Sequence, residues 1–436
     1  MIIVQVHNTY RLAAIVSAIV SRVGVFSFLI SNLLFFAACS GGSDSMTEDP
    51  TPPSDGPSVL NIYVYAPGQP VPTRGNQGQI DAAAAENAIH TLQIWVYTHE
   101  DTPKLVTYFK TNAFQQDPQK TDGTYKFELP IDDNFASTAE SGRPRVDVYV
   151  LANVTSNNCG LNFDENTSKA DLEGAVLAEG YFGVVNPVTD VPFEGLPMSG
   201  VLREQTVSNS KPVLTLGTSE NMAKVKLARA VSKARFVFSC STDFDGLKIT
   251  SVTFDANMIP TEESLFLDNP YNPETNELKI GNTYNAAVTP SLFSIDETAI
   301  CADPAHYAWD RLVNDKPDCT AQDYEDLIAD GLTVHEGEST PRLTERRLYL
   351  RESNKRLSGT IKYKIKEKDE AAYGEEQSIT FQMVGPENLE EWQPYFSRNH
   401  TWIVYAYLAW AKMRIVDVHF KDWETTQPSN HSLHNW

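Results

Sequence analysis

Cysteine is scarce in this chain, with five in 436 residues. That excludes a disulfide framework, which is short and dense in cysteine. No Cys-x-x-Cys pair occurs, and the nine histidines are scattered. Neither a structural metal site nor a dithiol redox site is therefore expected. Positive charge is also in deficit, 35 Lys and Arg against 57 Asp and Glu, for a net charge of −22. With no basic stripe, nucleic acid is not an expected partner. Gly-x-Ser-x-Gly and His-Glu-x-x-His are both missing. Carboxylates are abundant, but they sit mostly in loop-like stretches such as Asp268–Glu277 and Asp323–Asp326. Chance pairs are common there, and a solvated surface is the simpler account. Asp243-Phe244-Asp245-Gly246 echoes half of a calcium loop without the later bidentate Glu. The expectation is a protein that is not an enzyme and carries no cofactor and no metal.

Helical patterns are sparse too. Asp81–Ile89 is one, with alanines for propensity and Asp81 near the positive helix end. Ala321–Asp330 is another, with Tyr324, Leu327 and Ile328 on one face and Gly331 as its stop.

What is present is two-residue alternation, the mark of half-buried strands. Leu60, Ile62 and Val64 share one face of Val59–Tyr65. Leu92, Ile94 and Val96 do the same in Thr91–Thr98, as do Val146, Val148 and Val150 in Arg145–Val154. Phe236 and Phe238, then Ile361, Tyr363 and Ile365, then Ile379, Phe381 and Met383 follow. Thr401–Leu408 and Met413–Phe420 are the last strands. The fold class is all-β with few short helices. A turn-rich stop at Gly195–Gly200 and a polar stretch at Val201–Leu216 divide it into two domains, 58–205 and 206–436. The second carries an irregular insertion, 258–340, which holds Cys301 and Cys319, and these could pair in an oxidising compartment. Cys240 ends an apolar strand and reads as a buried free thiol. Trp95, Trp402 and Trp410 lie in strand patterns and read as core.

The N-terminus is built differently. Arg11 and Arg22 precede an uncharged run, Val23–Ala38, shorter than the roughly 20 residues of a spanning helix. Basic, then apolar, then small is the order of a secretory leader. Phe36-Ala37-Ala38-Cys39 resembles the bacterial lipobox, where cleavage precedes a cysteine that is then acylated. Residues 1–38 read as the leader, and 39–57, rich in Gly, Ser and Pro, as a flexible tether. Asp44-Ser45-Met46 resembles a short O-glycosylation motif.

Four stretches together resemble the Bacteroidales fimbrillins, subunits of the type V pilus. They are Thr73-Arg74-Gly75 with Glu86–Tyr97; Val148–Val154; Pro197-Met198-Ser199-Gly200 leading to Val225–Phe238; and Ser397–Val404. The resemblance implies two transthyretin-like β-sandwiches in tandem and a cell-surface fimbria that supports adhesion. It implies a lipid on Cys39 holding the precursor at the outer membrane, and an Arg-specific protease cutting between Arg74 and Gly75. It also implies assembly with other fimbrial subunits by donor-strand exchange, a form of strand addition. The displaced strand would be Val59–Tyr65, with Leu60, Ile62 and Val64 as its apolar face. The polar tail after Trp423 is not an obvious donor strand, and Met413–Phe420 is the candidate in its place. Two rival readings are an uncut anchor subunit that keeps its lipid and a surface glycan-binding lipoprotein.

Overall fold

Two-residue alternation becomes strand wherever the chain can be described. The computed structural model describes residues 57–66, 84–114, 123–178, 189–208, 212–217, 222–241, 243–266, 291–295, 302–303, 328–337, 341–353, 355–382, 396, 398, 400–409 and 412–422. All of these fall in one unit, Gly56–Trp436.

The first strands are β1 (Val59–Tyr65), β2 (Leu92–Thr98), β3 (Leu105–Thr111), β4 (Thr124–Pro130), β5 (Arg145–Ala152), β6 (Val176–Ala178), β7 (Met198–Thr206), β8 (Val213–Thr215), β9 (Lys224–Lys226) and β10 (Ala228–Arg229). One sheet runs β4-β1-β8, with β9 also on β1; its companion runs β10-β7-β5-β2-β3. The alternate apolar residues of both sheets meet in one core, where Leu60, Ile62, Ile94, Val148 and Val150 are fully buried. Strand β5 is buried on both faces. Its valines enter that core, while Tyr149 and Leu151 enter a second one with Trp95, Leu172 and Phe266.

Short helices join some of these strands. Helix α1 (Asp133–Gly142) starts where the Asp132 side chain accepts from the Phe135 N–H at 2.7 Å, which satisfies one free donor of the first turn. It ends at Arg143, in the left-handed region at φ 47°. Helices α2 (Ser156–Cys159) and α3 (Lys169–Glu173) lie in the segment that covers the second core.

The remaining strands are β11 (Ser232–Ser241), β12 (Phe244–Phe254), β13 (Glu262–Ser264), β14 (Ser291–Ile295), β15 (Ala302–Asp303), β16 (Thr344–Leu350), β17 (Ser358–Glu367), β18 (Gln377–Gln382), β19 (His400–Ala409) and β20 (Lys412–Asp422). They form β15-β11-β19-β20, with β16 on β11, and β14-β12-β17-β18. Aromatic rings fill the core between these two sheets. Phe236 and Phe381 lie 5.4 Å apart, and Phe381 and Trp402 5.9 Å.

The chain is all-β with few short helices, as the alternation implies. Two expectations about its division are corrected. Strands β8, β9 and β10 pair with β1 and β7, so the break between sheet pairs falls between Arg229 and Ser232, not at 205/206. Strands of two or three residues carry too little alternation to show in sequence. The segment 258–340 is also not wholly irregular, since β13 pairs with β6, β14 with β12 and β15 with β11. Residues 84–87 and 328–331 are helical, inside or overlapping the two expected helices. Cys240 and Cys159 are buried and in no disulfide, and Trp95 and Trp402 are core. Trp410 lies outside the described residues.

Candidate functional site

Strand β1 occupies the interior of its sheet. On one side it pairs antiparallel with β4 over its whole length, from Val59 opposite Pro130 to Tyr65 opposite Thr124. On the other side it meets two short parallel strands in turn. Val59, Leu60 and Asn61 pair with β8, and Tyr63, Val64 and Tyr65 with β9. Main-chain bonds close both ends. Ile131 N–H donates to Ser58 O at 3.0 Å, Ala66 N–H to Gly123 O at 3.0 Å, and Leu227 N–H to Tyr65 O at 2.9 Å. Gly123 is needed there, because it sits at φ +59° and a Cβ would lie 2.6 Å from Ala66 O.

The strand is held by burial as well. Leu60 and Ile62 are 0% exposed and Val64 2%. Burying each contributes roughly 1.5–3 kcal/mol, and each main-chain bond about 1 kcal/mol. Taking β1 out would open an apolar groove and unpair β4 on one side and β8 and β9 on the other. Such edges template the addition of another strand.

The other motifs singled out in the sequence converge elsewhere, where the two sheet pairs meet. Glu86 is 3% exposed. Its carboxylate accepts from Lys233 Nζ at 2.8 and 3.1 Å and from the Tyr349 hydroxyl at 2.8 Å. Arg229 donates to the Glu86 carbonyl at 3.3 Å and to the Asn87 side chain. Burial alone would raise the Glu86 carboxyl, but Lys233, Arg347 and Arg229 together hold it below the usual carboxylate range. Burial lowers the Lys233 ammonium to about 8 despite Glu86 beside it.

Asn153 ties the same region together. Its Oδ1 accepts from the His90 N–H at 2.8 Å, and its Nδ2 donates to Ala88 O at 2.7 Å and Leu196 O at 3.0 Å. Asn153 sits at φ 56°, a conformation asparagine tolerates better than most residues. Gly195, at φ +80°, leaves it room, because a Cβ there would lie 2.4 Å from Asn153 Nδ2.

A second polar knot lies at β13, the strand that crosses to pair with β6. Arg398 reaches Glu263 Oε1 at 2.6 Å and donates to Ser264 O at 2.7 Å and Leu265 O at 3.3 Å. Glu352 N–H donates to Glu263 Oε2 at 3.0 Å, and Arg398 N–H to Glu352 Oε2 at 2.8 Å. All three side chains are at most 3% exposed. Burial pushes the Glu263 carboxyl up to about 7; Arg398 opposes this and Glu352 adds to it.

Of the sequence-predicted site residues, Leu60, Ile62 and Val64 are together on the buried face of β1. Cys39, Arg74, Gly75, Cys301 and Cys319 lie outside the described residues. In the sequence, Glu86, Asn87, Asn153, Arg229, Lys233 and Arg398 stand out only as parts of motifs, with no contact implied. A charged residue inside an apolar strand, as Lys233 and Arg235 are in β11, was the available sign of a buried partner. Nothing in sequence linked Glu263 to Arg398.

Residues 58–232 match the family model described as major fimbrial subunit protein (FimA). The match begins just before β1 and ends where the first sheet pair gives way to the second. Over residues 58–232 the chain is similar to the major fimbrial subunit family. This is a family of fimbrial structural and adhesion proteins, not of enzymes. No curated protein matches the chain. Solved structures similar to it include the tip fimbrial protein Mfa3 of Porphyromonas gingivalis with a C-terminal truncation, at 12% identity and a TM-score of 0.43, covering 84% of this chain and 100% of that one. Another is a fimbrial assembly protein of Parabacteroides distasonis, at 10% identity and a TM-score of 0.39, covering 84% and 99%. The fimbrial-subunit match thus takes in the whole β1 slot: β1 itself, β4, β8 and β9.

Proposed function

We propose that the chain is exported as a lipoprotein through Cys39 and held at the outer membrane as a precursor. An Arg-specific protease then cuts after Arg74, and the chain polymerises into a cell-surface fimbria by strand exchange, supporting adhesion. The observation that carries this reading is the position of β1. It precedes Arg74 in the chain, and it is an interior strand with Leu60, Ile62 and Val64 buried and hydrogen-bonded neighbours on both sides. Cleavage after Arg74 turns β1 from part of the chain into a separate fragment. A strand from a neighbouring subunit can then take its place, recovering the same main-chain bonds and apolar burial. Before cleavage the filled slot prevents early association.

The fimbrial-subunit match of residues 58–232 supports this, as does the lipobox-like Phe36–Cys39. The test is Arg74→Ala. The variant should fold like the parent, remain at the membrane with its lipid and give no higher oligomers. An oligomer ladder that persists in the variant contradicts cleavage as the trigger.

A further inference from the structure

The occupant of the slot has a flaw at Asn61. This residue is 4% exposed and lies opposite Glu128 on β4 and Thr215 on β8. Its side-chain oxygen is buried and receives no hydrogen bond among the described residues. Two other buried asparagines differ: Asn87 accepts from Arg229, and Asn153 bonds three main-chain segments. Asn158, outside the slot, shares the unpaired oxygen among the described residues, but its amide nitrogen donates to Asn153 O and Gly195 O. Asparagine is also disfavoured within strands. The wall beside it is weak as well. The parallel side of the slot is two three-residue strands, and no register pair falls at Ile62 between them.

A buried amide oxygen without a donor costs free energy only while it is buried. Once β1 leaves, water satisfies Asn61, so the flaw weakens the occupant without harming the slot. In the uncut chain this matters little, because the covalent link holds β1 at a high effective concentration. After cleavage that advantage is gone.

We infer that Asn61 sets how long β1 stays in its slot once it is cut free, making β1 a replaceable occupant. This rests on the strand-exchange reading proposed above. It also defines the replacing segment: an extended strand of another subunit, aliphatic at the places of Leu60, Ile62 and Val64, with no unpaired amide or charge at the place of Asn61. The β20 sequence of a second copy fits poorly. Aligning Val416, Val418 and Phe420 with the three aliphatic places puts Asp417 or His419 at the place of Asn61, depending on direction. The replacing segment is therefore not β20.

The experiment cuts the purified full-length precursor with an arginine-specific endoprotease and follows the β1-containing fragment by native mass spectrometry. The wild-type fragment should dissociate, and the Asn61→Val fragment should stay on the order of tenfold longer, the factor that 1.4 kcal/mol represents. Equal half-lives overturn the role of Asn61 and leave strand exchange standing. A wild-type fragment that never leaves, even with excess competing peptide, overturns strand exchange itself. Should Asn61→Val fail to fold, synthetic peptides spanning 58–66, with Asn or with Val at 61, compete for the slot of the cut wild-type protein. The Val peptide should win about tenfold, and parity overturns the inference.

Discussion

The β1 slot and the junction between the sheet pairs are both buried, yet they are held in opposite ways. The slot uses main-chain bonds and three aliphatic side chains, which any extended apolar strand could supply. The junction uses named side-chain partners. Glu86 meets Lys233 and Tyr349, Asn153 meets His90, Ala88 and Leu196, and Arg398 meets Glu263. Generic contacts can be replaced by another chain, and specific ones cannot. One region is suited to exchange and the other to fixing how the two sheet pairs are joined.

The contrast breaks most sharply at Arg398. Replacing it with alanine leaves Glu263 buried beside Glu352 without its cation. Uncompensated buried charge of this kind costs roughly 3–5 kcal/mol, seen as a lower urea midpoint for the whole chain. Ile62→Ala comes next, costing about 2–5 kcal/mol through the cavity it leaves. That loss should appear in the uncut precursor and vanish once β1 has been replaced. A variant still destabilised in assembled fibres would mean that β1 stays in place.

The smallest effect separates two buried carboxylates within the junction. Glu263 has its pKa raised to about 7, so the folded state holds its proton more tightly than the unfolded chain does. Its contribution is fully present below the unfolded value near 4.5 and is lost as pH rises through about 7. Glu86 has the opposite sign. Its pKa is lowered by its cations, so its contribution is present above the unfolded value and lost as pH falls through the folded one. Denaturation profiles between pH 5 and 8 should lose part of their decline in Glu263→Gln. A profile unchanged by that substitution would remove Glu263 from the account.

Most strands were legible because alternation survives burial on one face, as in Val59–Tyr65 and in β17 (Ser358–Glu367). Strands β8, β9 and β10 were not, since two or three residues cannot display a period, and the domain boundary was misplaced with them. Leu60, Ile62 and Val64 could be read as one buried face because their contacts are generic. That β1 is an interior strand could not be read, since it depends on β8 and β9 arriving from more than 140 positions away in sequence. The junction residues surfaced as motifs without meaning. Asn153 acquires its role only once His90 and Leu196 are brought to it by the fold.

The central claim is that β1 is a temporary occupant of its slot. The most direct measurement is the intact mass of this subunit taken from assembled surface fibres. The account predicts a chain that begins at Gly75 and lacks residues 39–74, β1 among them. A chain in the fibre that still carries a lipidated Cys39 and Val59–Tyr65 would contradict it, and would mark the protein as an anchor that keeps its own first strand.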